Sequence, residues 1–273
     1  MLEYPESFTI AGQMSEIIPG KTIAGVEYIN PNANIFNPEG APDHYRYAIG
    51  GTVSDVCFHA PDIYVALDND FGILFRQGGG KILFHSASAG EPEKCNFRFP
   101  FSDGSGLTYA VQLWSYGVDV IDRETWETRV RAADEMRFQP MDGSFPEYLS
   151  YVKSHMDDPK QAVKIYLTKN IAGIMSTFAG EILLHAKLHP SIQTGSLSDV
   201  AHERIYTAML HVLNRACEAG GRSSEVDLFG NPGKYLAMSE RKHIGGPCPL
   251  CGDPLGKISV GGVFAFCPKC QIK

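Results

Sequence analysis

Four of the seven cysteines fall in two pairs near the C-terminal end, CPLC (Cys248 and Cys251) and CPKC (Cys267 and Cys270), with 15 residues between them. Two Cys-x2-Cys pairs at that separation present four thiolates to one tetrahedral metal ion, zinc above all, from a short hairpin ribbon. Disulfide pairing is the alternative, disfavoured in a reducing compartment. The intervening GKISVGGVFAF supplies the glycine turn and β-prone flanks that a ribbon needs. A piece this small cannot build its own core, so the spacing predicts a ribbon over residues 236–273 stabilised by one structural Zn2+, worth roughly 10 kcal/mol or more. Cys57, Cys95 and Cys217 are scattered and read as small buried hydrophobes.

The rest of the 273-residue chain is 44% hydrophobic, enough for a sizeable core in more than one domain. It has no apolar run of membrane-spanning length and no signal-peptide pattern, so a cytoplasmic protein is expected. The net charge of −7 is unevenly divided: residues 151–273 carry 14 Lys and Arg against 10 Asp and Glu, whereas residues 1–150 carry 10 against 21. A basic binding face beside an acidic domain accounts for this, and so does an ordinary solvated surface.

The first residues read MLEYPESF, two acids around a proline. Pro5 suits the first turn of a helix, where its missing N–H has no intrahelical partner. Phe8, Ala11, Met14 and Ile18 recur at helical spacing, and Pro19-Gly20 ends the element. From Lys21 to about Val120 the pattern becomes short alternating or β-branched runs such as DIYVAL, GILF, KILF and LTYAVQLW, separated by glycine- and asparagine-rich turns that include Gly78 to Gly80. That predicts an antiparallel, sandwich-like sheet domain. After a Pro/Gly-containing stretch, FQPMDGSFPEY, the period is helical in PEYLSYVKSHM, QAVKIYL and GIMSTFAGEILLHAKLHP. A last long helix follows, with Ala201, Ile205, Ala208, Val212 and Ala216 on one face, Ser196 and Ser198 as caps and Gly220-Gly221 at its end. The fold class is α+β, divided as 1–137, 138–235 and 236–273. His185 and His189, four apart, lack a nearby acid to complete a metal site.

In this order the segments resemble the formamidopyrimidine-DNA glycosylase / endonuclease VIII family. MLEYPES is similar to that family's start, NIAGIMSTFAGEILLHAKLHPSIQTGSLS to its helix-two-turn-helix element and GGPCPLCG to FCPKCQ to its zinc ribbon. FSDGSGLTYAVQLW resembles the strand pair leading to a wedge triplet, here Gln112, Leu113 and Trp114. The resemblance implies a monomer that binds damaged or abasic double-stranded DNA in base-excision repair, with an N-terminal proline amine as nucleophile and a glutamate handling protons. Glu3 and Glu6 occupy the acid positions.

Several positions depart from the family pattern. Leu2 stands where the proline is expected, and its bulk hinders removal of Met1, so a primary amine would lie a residue, about 3.5 Å, further from Glu3. Cys95 takes the place of a phosphate-binding lysine, with Lys94 one residue off and directed to the opposite strand face. Ser176 replaces a phosphate-contacting asparagine, Met175 a tight-turn glycine, and Gly262 an arginine. The resemblance therefore implies DNA binding through Lys94, Gln112, Leu113, Trp114 and Ser176. Base removal would run through water activated by Glu3, with weak or no AP lyase activity. A catalytically silent DNA- or protein-interaction module that keeps the fold and zinc is the alternative. Trp114 suits either the space left by an extruded base or a sheet core. Lys164, Lys169, Lys187, Arg215, Arg222, Lys234, Arg241, Lys242 and Lys269 are either phosphate contacts or ordinary surface cations.

Overall fold

The computed structural model describes residues 2–29, 43–76, 80–88, 95–111 and 117–273. Chain packing separates two units, Met1–Ala132 with Ala219–Lys234, and Ala133–Glu218 with Tyr235–Lys273. The stretch 219–234, grouped in sequence with the helical domain, packs with the first unit.

The first unit opens with α1 (Tyr4–Ile17), with Pro5 in its first turn as expected and Glu3 as N-cap. Its buried face is Ile10, Ala11, Met14 and Ile18. Phe8, expected on that face, is instead 48% exposed, its ring 5.8 Å from that of Phe58. Strands follow as β1 (Glu27–Tyr28), β2 (Val53–His59), β3 (Asp62–Leu67), β4 (Phe71–Phe75), β5 (Gly80–His85), β6 (Phe97–Pro100), β7 (Gly106–Val111) and β8 (Val118–Asp122). They form two antiparallel four-stranded sheets, ordered β2-β3-β4-β8 and β1-β6-β7-β5. Both sheets contribute to one apolar cluster, Val65, Ile73 and Val118 from the first and Phe97, Phe99 and Tyr109 from the second, with Ile10 and Met14 of α1.

β3 is buried on both faces. Ile63, Val65 and Leu67 face the shared core, while Tyr64 stacks on Trp126 at 5.0 Å between ring centroids. Gly72 on β4 makes room for that ring, since a Cβ there would lie 2.3 Å from Tyr64 Cζ. Trp126 belongs to α2 (Arg123–Met136), a helix that the sequence pattern does not announce: its only buried residue is that tryptophan.

The second unit contains α3 (Phe145–Ser154), α4 (Val163–Asn170), α5 (Ser176–His185) and α6 (Asp199–Glu218), then a two-stranded ribbon, β9 (Gly256–Ser259) paired with β10 (Val263–Phe266). Ser144 caps α3 in a box with Glu147, and Ser198 Oγ accepts the Ala201 N–H at 3.2 Å at the start of α6. No helix among the described residues is long and apolar enough to cross a membrane.

Candidate active site and nucleic-acid contacts

The N-terminal acids do not hang free at a frayed end. Glu3 is 2% exposed, and the preceding Leu2 is buried in the sheet core. Glu3 and Glu6 close a capping box: the Glu3 carboxylate accepts the Glu6 N–H, and Glu6 Oε2 accepts the Glu3 N–H at 2.9 Å. Both acids also meet one cation from far along the chain. Arg222 donates to Glu6 Oε1 from its backbone N–H at 2.9 Å and from Nε at 3.0 Å, and to Glu6 Oε2 from Nη2 at 3.0 Å. Its Nη1 lies 3.3 Å from Glu3 Oε1, and Glu225 stands 3.9 Å from Nη2.

Burial would pull the Arg222 guanidinium down, but the carboxylates of Glu3, Glu6 and Glu225 more than offset this and raise it above the usual arginine range. Local backbone makes the meeting possible. Gly220 and Gly221 end α6 with φ of 69° and 90°, and a Cβ on Gly221 would come within 3.0 Å of Glu6 Cγ. A Cβ on Gly233 would strike the Gly221 carbonyl oxygen at 2.2 Å. Gln13 strengthens the tie between α1 and the 219–234 stretch, donating to Asp227 Oδ2 and accepting the Leu228 N–H, each at 2.9 Å. Arg222, among the sequence candidates for phosphate, is therefore an internal partner of the acids.

In the second unit Ser176 is exposed as the first residue of α5. Met175 precedes it as N-cap with φ −116°, extended backbone that does not call for a glycine. Behind Ser176 lies Lys164 of α4, also a sequence candidate for phosphate and wholly enclosed at 0% exposure. Its Nζ donates to Ser176 Oγ at 2.8 Å. Cys95 is buried. Lys94, Gln112, Leu113 and Trp114 lie outside the described residues.

The ribbon gathers Cys248, Cys251, Cys267 and Cys270 so that their sulfurs lie within 4.8 Å of one another, with Cys251 and Cys267 at 3.6 Å. A tetrahedral site with metal–sulfur bonds of about 2.3 Å has edges near that spacing. Backbone N–H groups of Leu250 and Cys270 point at the Cys248 and Cys267 sulfurs at 3.4 and 3.3 Å, as outer support for thiolates. Burial raises the Cys267 thiol, but N–H groups of Cys270 and Lys269 overcome that and bring it down to about 7. The four residues fit one metal ion. Among the described residues no other group of three or more His, Cys, Asp or Glu is close enough to share one.

No family model matches the chain. Among curated proteins it is 26% identical over 281 aligned residues to formamidopyrimidine-DNA glycosylase of Bacillus subtilis strain 168, covering all of both chains. To the enzyme of that name from Listeria innocua it is 25% identical, covering 99% of this chain and all of that one. Over its whole length the chain is thus similar to formamidopyrimidine-DNA glycosylases. The fold is shared with a solved complex between Lactococcus lactis Fpg and abasic-site DNA, with a TM-score of 0.84 at 22% identity over 99% of this chain. A second Lactococcus lactis Fpg complex, with DNA containing N7-benzyl-Fapy-dG, has a TM-score of 0.83 at 23% identity over 98% of this chain. Arg222 contacts Glu3 and Glu6, a link that sequence reasoning did not make.

Proposed function

We propose that this chain is a DNA glycosylase of base-excision repair that binds damaged or abasic double-stranded DNA. It releases the base through water activated at Glu3, with weak or absent AP lyase chemistry, and carries one structural zinc on its four ribbon cysteines. The whole-length relationship to formamidopyrimidine-DNA glycosylases supports the substrate class. The observation that carries the mechanistic part is Leu2. A secondary amine next to Glu3 is what imine chemistry in this family needs, and here that position holds a buried leucine. Misplacing a nucleophile by an ångström costs roughly a hundredfold in rate, and a residue's length of chain is more than that.

Incubating the zinc-loaded protein with abasic and lesion-bearing duplexes, with and without borohydride, tests this. The expected result is base release without an appreciable covalent adduct, and Glu3→Gln should abolish the release. A strong adduct through the N-terminal amine would refute it.

The alternative of a silent, lesion-reading module has one specific observation in its favour. The Glu3 carboxylate is enclosed, caps a helix and lies 3.3 Å from Arg222 Nη1, a setting that suits a structural acid as well as a proton carrier. Tight lesion binding with base release no faster than in protein-free controls would put that reading ahead.

A further inference from the structure

His185 and His189 neighbour each other in sequence, but the structure gives them different partners. His189 Nδ1 accepts the Ser191 N–H at 3.2 Å and lies 2.8 Å from Ser191 Oγ, while its ring meets that of Phe266 edge-on. His185, the last residue of α5, turns instead to α6, where its ring centre lies 5.4 Å from that of His211. Both imidazoles line an open groove of about 550 Å³ between the two helices, together with Lys187, Glu203 and Arg204.

The acid that sequence neighbours did not supply comes from within α5. Glu181, one turn before His185 and 1% exposed, places Oε1 3.8 Å from His185 Nε2. Its carboxylate is itself fixed: Oε2 accepts the Ser239 N–H at 2.9 Å, and Oε1 accepts the Tyr235 hydroxyl proton at 3.3 Å. A buried carboxylate facing one ring nitrogen is the setting of a metal-bound histidine, whose other nitrogen holds the ion. Among the described residues no hydrogen bond engages the His211 ring.

We propose that His185 and His211 together bind one divalent late transition-metal ion, of the nickel, copper and zinc class, with water completing its coordination. Two imidazoles on one tetrahedral ion, each bonded at about 2.0–2.1 Å, have ring centres about 5 Å apart, close to the observed spacing. Imidazole ligands select this class over calcium and magnesium, which take oxygen. The C-terminal end of α5 favours a cation through its dipole. Arg204, the nearest competing charge, directs Nη2 at the carbonyl oxygens of Ala186 and, at 3.2 Å, Lys187. Glu203 in the same groove offsets it. The ion would tie α5 to α6, and this inference is independent of how the chain binds DNA.

Titrating Ni2+ into the untagged, zinc-loaded full chain by calorimetry tests this. Wild type should take up one equivalent with its ribbon zinc retained, and its melting temperature should rise with added Ni2+, because an ion that binds only the folded chain stabilises it by mass action. His211→Ala, at an exposed position, should weaken the event at least about tenfold, the cost of disturbing even an outer partner of a metal. It should also abolish the Ni2+-dependent rise and keep the wild-type melting temperature when Ni2+ is absent. His185→Gln should lose the event in the same way, whereas His189→Gln should bind as wild type does. Wild type that takes up no Ni2+, or a His211→Ala protein with wild-type affinity, would overturn the proposal. So would equal weakening in His189→Gln, since the ion would then be held by scattered surface histidines.

Discussion

Arg222 in the first unit and Lys164 in the second are both enclosed cations, yet they are surrounded by different chemistry. Around Arg222 stand the carboxylates of Glu6 and Glu3 within 3.3 Å and that of Glu225 at 3.9 Å, so a planar fork meets acceptors of opposite charge. Lys164 donates to a hydroxyl and two carbonyls and faces an aromatic ring, groups that orient an ammonium through dipoles. One arrangement locks a chain terminus to a distant loop. The other joins the start of α5 to the turn of the ribbon. The two cations differ in their partner sets, since burial is nearly the same for both.

The largest effect that separates the two regions comes from removing the metal. In a ribbon of this size the metal's binding energy, roughly 10 kcal/mol or more, is folding free energy, so chelation should unfold residues 236–273. The Val260 and Gly261 contacts of Lys164 go with it. The Glu3–Glu6–Arg222 lock, made wholly within the first unit, should survive. Hydrogen exchange read on peptides covering 2–17, 219–234 and 245–273 checks this. Equal loss of protection in all three would show that the two cations are not independent.

Arg222→Met comes next. Removing one partner of a buried ion pair leaves uncompensated charge and costs about 3–5 kcal/mol, and here it strands two carboxylates. Urea unfolding should show that loss, and adding Glu6→Gln should recover part of it. A loss below about 1 kcal/mol, the range of exposed pairs, would mean that the lock contributes little and would erase the contrast with Lys164.

The ease with which these features can be read in the sequence follows from how local they are. The ribbon was legible because its four ligands carry their spacing with them, and α1 because Pro5 and the Ala11, Met14, Ile18 period lie in one helix and its C-cap. The strands of the sandwich were legible from alternation and turns. α2 was not, because a helix covered by a single buried residue, Trp126, has no apolar stripe to show. The Arg222 lock was hidden for a different reason: its partner Glu6 is 216 residues away, and the chain between them belongs largely to other elements. For Lys164 there was one signal, namely that it shares a helix with Val163, Tyr166 and Leu167, all buried. A lysine inside an otherwise apolar stretch asks for oxygens to receive its protons, and those came from the far end of the sequence.

The smallest expected effect concerns acid, and it should fall on the second unit. His202 on α6 is buried, its ring 6.2 Å from that of Tyr148, and among the described residues its Nδ1 has no hydrogen-bond partner. Desolvation pulls its pKa below the usual value of 6.5, with Asp199 opposing and Lys153 assisting. When the folded value is the lower one, both states are neutral above pH 6.5 and the group has no influence there. As pH falls below 6.5 the unfolded chain takes up a proton that the folded chain refuses, and stability drops until the folded value is reached. Urea unfolding followed by circular dichroism between pH 8 and 5 should show a decline that begins near 6.5 and is shallower in His202→Gln. Arg222 adds nothing in that window, because a guanidinium stays charged throughout it. An equal decline in His202→Gln would show that the acid sensitivity does not come from this buried ring.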